Sequence, residues 1–302
     1  MSKVYFLKNL DPQKIKGFLP GFTAPLGVKI HFGEQGNTTF IPAEQIKKVV
    51  DLLASPTLIE CNTLYKGRRT KTSTHLKLAK EHGFTFAPID ILDGESGDED
   101  LQLRVPGGQH FKSAYLGRGL SKYQSIFFIS HFKGHISAGF GGAIKNISMG
   151  LASRRGKLAL HASVKHQINS EKCLGCGTCI ANCPASAISY DENNKAHIDQ
   201  NLCISCSKCM ALCPSGAIDI PWGGTSKKVF RERLAEYALA VVQGRQCFYL
   251  NFVTNITDKC DCHNSPLPIL TPDIGILLSA DPVAIDQASY DLVIKQYPAF
   301  AE

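Results

Sequence analysis

Long apolar stretches are missing from this sequence. Its apolar runs, such as Ile126–Ile129 and Ile274–Leu278, fall far short of the roughly 20 residues that a membrane-crossing helix needs. Blocks of like charge are also missing. The 33 Lys and Arg and 26 Asp and Glu give a formal net charge of +7 that is spread along the chain, which argues against a nucleic-acid-binding arm. The opening residues, Met1–Leu10, lack the basic, then apolar, then small pattern of a secretory signal and read as a strand. No Gly-x-Ser-x-Gly, no zinc-protease motif and no ordered Ser, His and Asp set occurs, so the sequence names no nucleophile. With 44% hydrophobic and 20% charged residues over 302 positions, the chain is too apolar for disorder and long enough for a sizeable core. These features set the expectation of a cytoplasmic protein with no membrane span and no nucleic-acid partner.

Short β-rich runs alternate with helical ones before residue 165. Lys3–Leu7, Val28–Phe32, Thr57–Cys61, Phe84–Leu92 and Ser125–Ser130 read as strands, and the segments around Ile46–Leu53 and Thr72–His82 as helices. The alternation resumes after Pro221. A long amphipathic helix there places Val229, Leu234, Tyr237 and Val241 on or near one face and stops at Gly244. Two strands follow, and then a helix opened by Asp281 and Pro282. This predicts an α/β fold with a mixed or partly parallel sheet. The intervening segment is rich in Cys, Pro, Ser and Asn. The economical division is one discontinuous α/β domain, 1–166 and 222–302, interrupted by a small module at 167–221.

Cysteine is what the sequence has in excess. Of the 12, eight fall in the module, and they form an internal repeat: Ile168–Ile188 aligns without a gap on Ile198–Ile218. Each half reads C-x2-C-x2-C-x3-C-P, a spacing that disulfide pairing does not require. Three cysteines two residues apart on a tight loop can aim three thiolates at one iron–sulfur cube, and the fourth, before proline, ligates the other cube. The expected ligand sets are therefore Cys173, Cys176, Cys179 and Cys213 for one [4Fe–4S] cluster, and Cys203, Cys206, Cys209 and Cys183 for the second. Zinc usually asks for C-x2-C pairs set further apart, which disfavours it here. Gly175 and Gly177 let the backbone approach the sulfurs, Ser205 and Ser207 offer hydroxyl donors in the second loop, and Ile188 and Ile218 cover the clusters.

Weaker constellations lie outside the module. A Gly-rich turn at Gly139, Gly141 and Gly142 follows an apolar strand and precedes Lys145. It lacks the complete dinucleotide or P-loop signature, and close packing against the sheet is the preferred reading over anion binding by its amides. Cys260, Asp261, Cys262 and His263 form a Cys-x-Cys-His run that His131, His135 or His161 would complete as a further metal or organic-cofactor site. Arg68 and Arg69 are candidates for an anionic substrate or an acidic protein surface. Cys61 and Cys247 read as small core residues.

The cysteine repeat resembles the bacterial two-cluster ferredoxins. Taken together, "NTLYKGRR", "HFKGH…GFGGAIKN…GKLALH", the twin repeat and "CDCH…PDIGIL…DPVAID" resemble the domain-of-unknown-function 362 family of iron–sulfur proteins over nearly the whole chain. That resemblance implies an α/β domain carrying an inserted ferredoxin module and [4Fe–4S] binding, with no agreed reaction. The expectation is an electron-transfer protein with two clusters and a redox partner protein. The alternative is a reductase whose further metal or cofactor sits at the His- and Cys-rich cleft.

Overall fold

The computed structural model describes residues 2–162, 166–221 and 224–301. Of the expected domain limits, 1, 222 and 302 lie outside the described residues. The chain begins with β1 (Val4–Leu7), α1 (Pro12–Phe18), β2 (Leu26–Lys29), α2 (Ala43–Val50), β3 (Thr57–Glu60), α3 (Thr72–Glu81) and β4 (Ile89–Ile91). A hairpin of β5 (Asp100–Arg104) and β6 (Ser113–Gly117) leads to β7 (Ser125–His131). The short pair β8 (Lys133–His135) and β9 (Gly139–Gly141) and the helices α4 (Ala143–Leu151) and α5 (Arg154–His161) follow. The cysteine-rich segment contributes α6 (Thr178–Ala181), β10 (Ile188–Tyr190), β11 (Ala196–Ile198) and α7 (Lys208–Leu212). The last elements are α8 (Lys227–Val242), β12 (Gln246–Val253), β13 (Gly275–Ser279) and α9 (Pro282–Gln296).

Seven strands form one sheet in the order β1-β13-β12-β7-β2-β3-β4. The run from β12 to β4 is parallel, and β13 and β1 join antiparallel at one edge. The fold is thus mixed α/β with a mostly parallel central sheet. Parallel strands are covered on both faces and carry near-continuous apolar runs, and every residue of β7 is buried. Its alternate side chains feed two cores. Ile126 and Phe128 pack with residues of α4, α8 and α9. Phe127 and Ile129 pack with residues of α1, α2 and α3.

Helix ends are fixed by side chains. The Asp281 carboxylate accepts from the amides of Val283 and Ala284 to open α9, with Pro282 in the first turn. Buried Asp286, further along α9, reaches across to α4 and accepts from the amides of Ala143 and Ile144 at 2.7 and 2.9 Å. The anion at the start of α4 is therefore the protein's own carboxylate, which satisfies two of that helix's orphan donors. Two expected strands prove shorter. The Phe84–Leu92 run pairs only over Ile89–Ile91. The Val28–Phe32 run leaves the sheet after Lys29, because its next residues turn into a buried loop.

Burial pushes the Asp286 carboxyl up to about 6 from 3.8. The folded state therefore holds the Asp286 proton more tightly than the unfolded state does. The stability tied to this group is full below about pH 4 and is lost as pH rises through about 6. The substitution Asp286→Asn should give a shallower decline of unfolding free energy across that window, read from urea titrations at several pH values. A slope as steep as the parent's would contradict this.

Candidate metal centres and a charged cavity

The two cysteine loops fold as copies of each other. Ile188 pairs with Ile198 and Ile168 with Ile218, which are the same two repeat positions with the halves exchanged. Gly175 and Gly177 have φ of +65° and +70°, and Ser205 and Ser207 repeat the conformation at +56° and +60°. The second loop thus holds two serines in the left-handed region, where residues with a Cβ are uncommon. The payoff is amide direction. Gly175 N–H donates to Cys173 Sγ at 3.5 Å and Ser205 N–H to Cys203 Sγ at 3.4 Å. The amides of Ala187 and Ala217 donate to Cys183 and Cys213, each at 3.3 Å. Ser207's hydroxyl, expected to serve a sulfur, donates instead to the Ser205 carbonyl.

Two small cavities result. One is lined by Cys173, Cys176, Cys179 and Cys213, the other by Cys183, Cys203, Cys206 and Cys209. Each takes three sulfurs from one loop and the fourth from the other. Burial raises the Cys209 thiol to about 12, and the ring nitrogen Nε2 of His166 lies 3.3 Å from its sulfur. Such thiols stay protonated unless a metal or another cation takes the thiolate.

The segment docks on the sheet domain through Leu64 and Leu158, which join its apolar core, and through Lys208–Asp98 and Lys66 to the Pro214 carbonyl. On the other side of Leu64 and of α5 lies a cavity of about 460 Å³. Lys29, Glu60 and His131 reach it from the carboxyl ends of β2, β3 and β7. The chain leaves β2 toward β3 on one side while β7 lies on the other, and open α/β sheets bind ligands at such switch points.

Charge gathers in this cavity. Lys29, Arg69, Lys133, Lys145 and Lys157 line it, against Glu60 and Asp261. Lys29 and Glu60 pair at 3.0 Å, both buried. Arg69 pairs with Glu34 at 3.0 Å and contacts the Tyr65 hydroxyl. Asp261 receives Lys133 and His131, each at 2.9 Å. Burial raises the Asp261 carboxyl, but His131 and Lys133 outweigh it and hold the group well below the usual range. Burial lowers His135 and His161, the latter to about 3, with Lys145 adding to both shifts.

The structure brings Cys260, Cys262, His131, His135 and His161 around this one cavity. It gives them different partners from those expected. Cys260 and Cys262 are joined in a disulfide. Their sulfurs and a ring nitrogen of His263 lie within 4.8 Å of one another, a donor group able to hold a metal ion once the thiols are reduced. His131 has both ring nitrogens committed, to Asp261 and to the Thr254 carbonyl. His135 Nδ1 accepts from the amides of Ser137 and Ala138, and His161 stacks on Phe230. His131 and His135 lie on separate strands rather than one helix. A Cβ at Gly134 between them would sit 2.3 Å from the Asp258 carbonyl. Arg68 is also spent internally, in a two-pronged pair with Glu81. Sequence reasoning missed Lys29, Glu60, Lys133 and Lys157. A charged residue closing an otherwise apolar strand, as in "GVK" and "TLIE", was the available signal.

These features define a cysteine-rich mixed α/β protein with a candidate metal-binding site. Residues 26–291 match the family described as domain of unknown function (DUF362), and the chain belongs to that family. A 31-residue stretch is 58% identical to an uncharacterized protein of Methanocaldococcus jannaschii, covering 10% of this chain and 14% of that one. Among solved structures, the lactate racemase apoprotein from Thermoanaerobacterium thermosaccharolyticum is similar at 11% identity and a TM-score of 0.47. The match covers 98% of this chain and 58% of the racemase. A Thermotoga maritima protein is similar at 11% identity and a TM-score of 0.48, covering 97% of this chain and 61% of that one. The chain thus spans about three-fifths of the length of these two proteins. Among the described residues, no helix is long and apolar enough to cross a membrane.

Asp261 pairs with the buried Lys133 ammonium and is hydrogen-bonded to the His131 ring. Asp261→Ala should cost about 3–5 kcal/mol of unfolding free energy, the penalty for leaving buried charge unpaired. Urea denaturation measures it, and a loss below about 1 kcal/mol, the worth of an exposed pair, would contradict the assignment.

Proposed function

We propose that this is an electron-transfer iron–sulfur protein, with two [4Fe–4S] clusters held in a ferredoxin-like module at 167–221 set into a discontinuous α/β domain, 1–166 and 222–302. The observation that carries the reading is the pair of four-cysteine cavities, each completed by a sulfur from the opposite half of the repeat. Cys173, Cys176, Cys179 and Cys213 would hold one cluster, and Cys203, Cys206, Cys209 and Cys183 the other. The donor sets fit. Each offers four cysteine sulfurs, and amide hydrogens already point at sulfurs in both. When bound, the clusters supply one-electron transfer at a potential tuned by such hydrogen bonds and by burial.

This chain's own residues do the rest. Ile188 and Ile198 on one side and Ile168 and Ile218 on the other wall off the sulfur cavities. Leu64 and Leu158 seat the module against the sheet domain. Lys157 and Leu158 are neighbours on α5, the first lining the charged cavity and the second packed in the module core. This proximity favours the cavity as the place where electrons are used, the reductase form of the reading. A redox partner protein then supplies them.

The crossed ligation is testable by variants. Cys213→Ala and Cys183→Ala, purified without oxygen, should each retain about half of the roughly eight irons of the parent, with loss of a different cluster in each. Iron and sulfide analysis with electron paramagnetic resonance reads this. Unchanged iron in both variants, or zinc in place of iron, would overturn the reading.

A further inference from the structure

Within the cavity, most charges have spent their partners. Lys29 is matched by Glu60, Arg69 by Glu34, and Lys133 by Asp261. Lys157 and Lys145 have no carboxylate within ion-pair distance among the described residues. Lys157 donates to the Ala152 carbonyl. Lys145, on the first turn of α4, lines the cavity with no hydrogen-bond or ion-pair partner among the described residues. An amine held in such a place without a counterion is costly unless it serves a ligand or loses its proton.

We propose that Lys145 is a nucleophilic amine and that the cavity takes an organic anion, a carboxylate or phosphate ester, that also carries an aldehyde or ketone. The Nζ lone pair attacks the carbonyl carbon and the carbon–oxygen double bond opens. Both amine protons leave with that oxygen as water, and a carbon–nitrogen double bond remains. No electrons are gained or lost, and no further reagent is required. The excess of positive charge attracts the anion, with Lys157 a cation that has no carboxylate partner among the described residues. Phe40, Ile41 and Met149 offer apolar wall to the carbon skeleton.

The surroundings suit that chemistry. Burial, with Lys133 beside it, lowers the Lys145 ammonium to about 7, against a smaller opposing pull from Asp261. A large share of the amine is then free base at neutral pH, which is how lysine nucleophiles are activated. The other groups facing it are Lys29, Arg69, His135 and His161. His161 is kept neutral by burial and by Lys145 and Lys157. The proposal is independent of the iron reading, because the cavity is built entirely outside residues 167–221.

Pyridoxal 5′-phosphate is the probe, an aldehyde joined to a phosphate, with phosphate-free pyridoxal as its control. Anaerobically purified protein is treated at neutral pH, reduced with borohydride, digested and mapped by mass spectrometry. The expected result is an adduct at Lys145, formed at least about tenfold faster with the phosphate than without it, since a basic cleft concentrates anions. Inorganic pyrophosphate should protect. Lys145→Arg should abolish the adduct while keeping pyrophosphate binding by calorimetry, and Lys145→Gln should abolish the adduct and weaken pyrophosphate binding. Adducts confined to surface lysines, or equal rates at Lys145 for the two aldehydes, would overturn the proposal. Iron is measured on the same sample, so the failure of one reading is visible apart from the failure of the other.

Discussion

Neither half of the cysteine repeat can close a four-sulfur pocket alone. Cys213 stands with the first loop and Cys183 with the second, so the two halves must fold against each other before either pocket exists. Local features serve this constraint. The left-handed residues at 175, 177, 205 and 207 turn each loop sharply, and the prolines after Cys183 and Cys213 stop the short helices. The exchanged isoleucine pairs lock the halves in register. Under the proposed reading, metal binding and folding of this segment are a single event.

The same segment forms one neighbour of a wall whose other neighbour is the charged cavity. Arg154, fully buried in that wall, donates to the carbonyls of Leu64, Thr70 and Ser96. It thus ties the loop after β3 and the turn after β4 to α5. Lys157 and His161 then face the cavity from the same helix. Strand ends supply the rest, because a parallel sheet delivers its loops to one edge. The cations there are costly in isolation. Most are neutralised in pairs, which leaves a small surplus of positive charge aimed into enclosed space.

Legibility in the sequence followed chemical obligation. The cysteine spacing repeats an arrangement that few other purposes require, so the grouping of eight sulfurs into two sets could be written before any coordinates. The apolar runs of β7, β12 and β13 were equally plain, since strands covered on both faces have few alternatives. The cavity was not plain. Its cations come from residues 29, 69, 133, 145 and 157, on separate elements, and Lys29, Lys133 and Lys157 read as ordinary surface lysines until the sheet order brings them to the others. Long-range pairing also misled. The glycine turn before α4 carried anion binding only as the less favoured reading, and Asp286, far along the chain, supplies the carboxylate its amides meet. Arg69, a candidate for an anionic substrate or an acidic protein surface, is instead held by Glu34 and Tyr65. Cys61 was read as a small core residue, and it is buried in the core beside the cavity.

The most direct test of the central claim is low-temperature electron paramagnetic resonance on the whole protein, purified without oxygen and reduced with dithionite. Two neighbouring [4Fe–4S] clusters predict a signal integrating to about two spins per chain, with broadening from their mutual interaction. A sample that stays silent after reduction, or that gives about one spin with no sign of a second centre, would contradict the account.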